Sequence, residues 1–205
     1  MAPLHIGPLA RQRTRNDVRS ALEQLPDGLI DVYDVVMNRI RSQSSDDANL
    51  ALKILSWITY AKAPLKSTVR QHAVAVTENI RDISDDDLID IEDLVSVCAG
   101  IVTVAEVVLY AWSTIVLNNL QSYLQSQLPT ANVDISMTCL VYLGFDVFNN
   151  PCQKKSELKE RLTKYKLYSY AAQYLGEHAC GDTEDHIKNR FFETFQIQGK
   201  RDSVG

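Results

Sequence analysis

From Asp27 onward, Leu29, Val32, Tyr33, Val36, Met37 and Ile40 recur at steps of three and four, which places them on one face of a helix. Pro26 and Asp27 suit its start. The polar run Ser42 to Asp47 predicts a turn, and a second helix follows from about Ala48, with Ala51, Ile54, Leu55 and Ile58 on its buried stripe. Pro64 ends it. Ser67 is the expected N-cap of a short third helix through His72 and Val76, and Asp82 to Asp87 is polar enough to predict a solvated loop. Asp90 then caps a fourth helix that buries Ile91, Leu94, Val95 and Cys98, with Gly100 at its end.

The pattern changes after Gly100. Ile101, Val102, Thr103, Val104, Val107, Val108 and Tyr110 are β-branched or otherwise strand-forming, with Ala105 and Glu106 at the midpoint, and predict a short hairpin. Ser113 or Thr114 begins a further helix through Leu117, Leu120 and Leu124, closed at Pro129. Three more helices are expected over Ile135 to Phe145, Glu157 to Tyr165 and Tyr168 to His178, the second of them following Pro151 and capped by Ser156. Ile187, Phe191, Phe192 and Phe195 suit one amphipathic helix before a polar tail. The fold class that follows is mainly α: a winged-helix domain with a small β-hairpin, flanked by helical segments. The expected organisation is a helical segment over 1–47, a winged helix over 48–124, a helical linker over 125–181 and a weakly ordered tail over 182–205.

Composition narrows the function. The 205 residues are 45% hydrophobic, which is enough for a core, and the formal net charge of −5 argues against phosphate recognition. Cys98, Cys139, Cys152 and Cys180 show no CxxC spacing and no signal peptide precedes them, so they read as reduced thiols of a cytoplasmic protein. Leu94 to Leu117 is long enough to span a bilayer. Glu106 at its centre would cost about 2.5 to 3.5 kcal/mol there, and a buried helix followed by a hairpin explains the same residues.

Five blocks carry a family resemblance. LPDGLIDVYDVVMNRI, Leu25 to Ile40, resembles the helical segment that follows the nucleotide-binding domain of fungal NACHT-ankyrin repeat proteins. ALKILSWITYAKAPL, Ala51 to Leu65, and DIEDLVSVCAGIVTV, Asp90 to Val104, are similar to the winged-helix region of those proteins, a region also named after GPI inositol-deacylase. MTCLVYLGFDVF, Met137 to Phe148, and YSYAAQYLGEHACG, Tyr168 to Gly181, resemble the helical linker leading into their ankyrin repeats. The resemblance implies part of a signal-transducing switch, in which the winged helix acts as an intramolecular lever and its partners are the NACHT and ankyrin domains of a full-length parent. A fragment without those domains is expected to self-associate through apolar surface.

Three departures qualify it. None of the eight glycines begins a Gly-Lys-Ser/Thr sequence, so no phosphate-binding loop is present and no cofactor is implied. No ankyrin-type repeat follows Gly181. Between Ala105 and Gln121 the histidine that usually closes the second wing strand is missing.

Candidate chemistry is sparse, and the chain is not expected to be an enzyme. His178, Cys180 and His186, with Asp182 and Asp185, are zinc-compatible residue types in a spacing that fits no established finger; His178 reads instead as a helix-end residue facing the negative end of the dipole. Asp85, Asp86 and Asp87 lack the alternation and glycine of a calcium loop. Trp57 and Trp112 read as core residues. There is no G-x-S-x-G elbow. Catalytic, cofactor-binding and metal-ligating residues are therefore expected to be absent, with protein contact as the work of the chain. The competing reading is a stand-alone winged-helix nucleic-acid binder that inserts Asp90 to Ala99, a helix carrying Asp90, Glu92 and Asp93 and no cation.

Overall fold

The computed structural model describes residues 28–105, 108–111 and 116–202. The described chain is mainly helical. Helix α1, Gly28–Arg41, buries Tyr33, Met37 and Ile40 along one stripe, as the periodicity requires. Pro26 and Asp27, expected at its start, lie outside the described residues.

Helix α2, Ser45–Tyr60, begins three residues before the expected Ala48. The cause is Ser44, whose hydroxyl accepts the Asp47 amide at 3.2 Å and so caps a turn that reads as polar loop. The helix stops at Tyr60, because Pro64 has no N–H to bond the Tyr60 carbonyl four residues back. Helix α3, Ser67–Ala75, has Lys66 at its cap position, so Ser67 is its first helical residue and not its N-cap. The aspartates 85–87 form one 3-10 turn, fixed by Ser84 and Asp87, while neighbouring Ile83 is buried.

Helix α4 is short, Ile91–Ser96. Asp90 occupies its N-cap position without a side-chain bond to the helix, and Leu94 and Cys98 are buried beneath. Ala99 and Gly100 both take positive φ, at 51° and 85°, and turn the chain into strand β1, Val102–Ala105. Strand β2, Val108–Ala111, pairs antiparallel with it, Val102 opposite Ala111 and Ala105 opposite Val108. Glu106 and the expected helix starts Ser113 and Thr114 lie outside the described residues.

Helix α5, Val116–Gln127, runs to Leu128 and Pro129, after which α6, Ala131–Leu143, starts four residues before the expected Ile135. Thr130 occupies the N-cap position without a side-chain bond to the backbone, its hydroxyl donating instead to the Asp134 carboxylate at 3.0 Å. Helix α7, Lys155–Lys164, opens at Lys154 and not Ser156, since the Glu157 carboxylate reaches back to the amides of Gln153 and Lys154. Helix α8 is Tyr168–Ala179. Helix α9, Thr183–Asp202, follows Gly181 at φ +76° and continues through the segment expected to be a polar tail.

Two helices organise the packing. Helix α2 touches α1, α3, α4, α5 and β2, and α6 lies against α2, α8 and α9. With Ile135, Ser136, Thr138, Cys139, Leu140 and Tyr142 all buried, α6 from Ile135 onward is covered around most of its circumference, which is why its apolar residues show no single stripe. One continuous core runs from Tyr33 to Ile187, across residues 124 and 125 where two units were expected to meet. No helix among the described residues is long and apolar enough to cross a membrane, and the stretch Leu94 to Leu117 is divided among α4, the strand pair and the start of α5.

Candidate functional site

A groove of about 790 Å³ lies between α2, the chain after α3, the α5–α6 corner and α9. Trp57 forms part of its lining and is itself buried. Lys53 projects from the same face of α2, and its ammonium donates to the carbonyls of Val74 at 2.9 Å and Val76 at 2.6 Å. Burial lowers its pKa to about 8, against the opposing pull of Asp134. On the other side, Arg190 of α9 donates to the Glu78 carbonyl at 3.1 Å and pairs with Glu193 at 3.4 Å. Both cations therefore grip one short segment, residues 74–78, which forms a wall of the groove. The Lys53 amine is engaged by backbone and is not poised as a nucleophile.

A second constellation is buried between α6 and α8. The Lys62 amide donates to the Tyr170 hydroxyl at 2.9 Å, leaving that hydroxyl's proton for His178 Nε2 at 2.7 Å. His178 Nδ1 then carries its own proton towards Asn132 Oδ1 at 3.0 Å. This chain of bonds fixes one neutral tautomer. Burial, with Lys62 adding to it, lowers the His178 pKa to about 4, so the imidazole is uncharged near neutrality and the helix-end role expected for it is replaced by a core role. His72 and Tyr142 form a similar buried pair at 3.0 Å.

Asn132, His178 and a buried thiol, Cys139, bring Cys, His and Asn into one region of the core. Cys139 is fully enclosed and its pKa is pushed up to about 12 by burial, the opposite of what a thiolate nucleophile needs. Cys98 is in the same condition, and Cys180 is exposed with its thiol on the Gly176 carbonyl. All four cysteines are free.

The zinc-compatible residues are not brought together. His178 is committed to Tyr170 and Asn132, and His186 to the Asp182 carbonyl. Among the described residues no group of three or more His, Cys, Asp or Glu is placed to hold a metal ion. Asp85, Asp86 and Asp87 are exposed. Trp57 is core, edge-on to Tyr170 with centroids 5.5 Å apart, and Trp112 lies outside the described residues. Lys53 and the Tyr170–His178–Asn132 chain escaped the sequence reading. Lys53 left one faint signal, a cation adjacent to the buried stripe of α2.

The class these features define is a mainly helical domain that holds the Tyr170–His178–Asn132 chain and the His72–Tyr142 pair inside it. No family model matches the chain, and no curated protein and no solved structure is similar to it.

Proposed function

We propose that this chain is a non-catalytic, cytoplasmic protein-contact module: the winged helix and helical linker of a NACHT-type signalling protein with ankyrin repeats. One observation carries the reading. Helices α2, α3 and α4 and the antiparallel strands follow in the order of a winged helix, and α3, α4 and β2 all pack on α2. Of the five blocks of resemblance, Leu25 to Ile40 lies ahead of this region, two fall within it and two fall in the helices after it. The reactive side chains add support, since Lys53, His178 and Cys139 are all spent on internal bonds or burial. Work by contact fits such a molecule better than work by catalysis.

Sequencing the full transcript tests the assignment. The expected result is a G-x-x-x-x-G-K-[ST] loop in frame upstream and helical repeats downstream; a transcript encoding neither overturns the NACHT reading. A gel shift at low salt tests the competing class, and retardation of duplex DNA would replace contact with nucleic-acid binding, against the acidic character of α4.

A further inference from the structure

Helix α7 has no buried side chain, and its Leu158 is 45% exposed. A helix of 10 residues is below the roughly 12 to 15 at which isolated helices become even marginal in water. It is held at its ends, by Glu157 on the preceding amides and by Arg161 on the Asn150 carbonyl at 2.8 Å, and its outer face is left bare. The helix and its flanks are cationic. Lys154, Lys155, Lys159, Lys164 and Lys166 are exposed and Arg161 is half-buried, against only Glu157 and Glu160. Among the described residues, none of Lys154, Lys155 and Lys159 has an ion-pair partner.

The complement begins beside its C-terminal end. Asp85, Asp86, Asp87, Asp90, Glu92 and Asp93 are all exposed, and not one Lys or Arg occurs between Arg81 and Lys154. The two patches meet where the Tyr165 hydroxyl donates to Asp82 at 2.8 Å and Lys164 lies 5.0 Å from the Tyr165 ring centre. Opposite patches that abut on one surface are self-complementary: a two-fold axis through the junction sets each basic helix against the other copy's acidic strip. A polyanion such as duplex DNA or an anionic membrane would meet the carboxylates as well as the lysines and be repelled by them.

We propose that the basic helix α7 with its flanks docks the acidic strip 82–93 of a second copy of this chain, reciprocally, in a salt-sensitive dimer. The proposal rests on the protein-contact part of the functional reading. Sedimentation velocity on the full chain reads it directly: a dimer at about 0.1 M salt that dissociates to monomer at about 1 M, where the screening length falls from about 10 Å to about 3 Å. Two charge-reversed variants supply the second arm, one with Lys154→Glu, Lys155→Glu and Lys159→Glu, the other with Asp85→Lys, Asp86→Lys and Glu92→Lys. Glutamates at 154 and 155 suit the dipole at the start of α7, and Lys159→Glu exchanges two residues of similar helix propensity, so the first variant keeps the helix.

Each variant alone is expected to be monomeric at low salt, and an equimolar mixture to recover the dimer. Association that survives 1 M salt, or that either variant retains alone, overturns charge pairing and leaves apolar contact in place. A monomer at every concentration and salt overturns the dimer and leaves the contact reading standing, since that reading places its partners in the same longer chain and is decided by the transcript.

Discussion

A histidine in the last turn of a helix is ordinarily a charged group facing the carbonyl end of the dipole, and His178 holds that position in α8. Its surroundings decide otherwise. Enclosed and bonded on both ring nitrogens, it keeps a folded-state pKa of about 4 instead of the usual 6.5. The unfolded chain therefore takes up the proton first on acidification. His178's contribution to stability is full above about pH 6.5 and declines as pH falls towards 4, by about 3 kcal/mol. His72, whose pKa burial also lowers, adds in the same direction. Urea midpoints measured at about pH 7 and about pH 4.5 are expected to show this loss, and His178→Gln to flatten it relative to the native chain. A native and a His178→Gln chain with the same pH slope would mean that the imidazole is not held neutral.

At the scale of elements, the turn between α4 and β1 concentrates strain on one residue. Gly100 takes its positive φ freely, but Ala99 at φ 51° has a Cβ in the left-handed region. Ala99→Gly is expected to raise the thermal midpoint, by the equivalent of about 1 kcal/mol, as read by calorimetry. The elements themselves were largely legible in the chain, because a one-faced stripe such as Tyr33, Met37 and Ile40 in α1 repeats with the helix. Boundaries failed where a side chain did the work of the backbone, as with Ser44 at α2 and Glu157 at α7. The polar interior was illegible for a different reason. Lys53 meets Val74 and Val76, and His178 meets Asn132, across distances in sequence that no local pattern encodes.

For the whole molecule, α6 is the element on which the rest converges, and α8 and α9 are held to it by buried contacts while α7 is not. Trypsin cuts after lysine and arginine, and α7 with its flanks presents them on an exposed helix that unwinds at little cost to the core. Brief digestion at about 1 M salt, where charge pairing through α7 is screened, is expected to nick the chain there first. The body up to α6 and the piece carrying α8 and α9 should still elute together at the native volume, and separate only on a denaturing gel. Loss of the smaller piece during native elution would show that α7 fastens α8 and α9 to the body. If the two pieces hold, α7 is a covalent bridge whose continuity the fold does not need, and the halves of this protein, expressed apart, would find each other through α6.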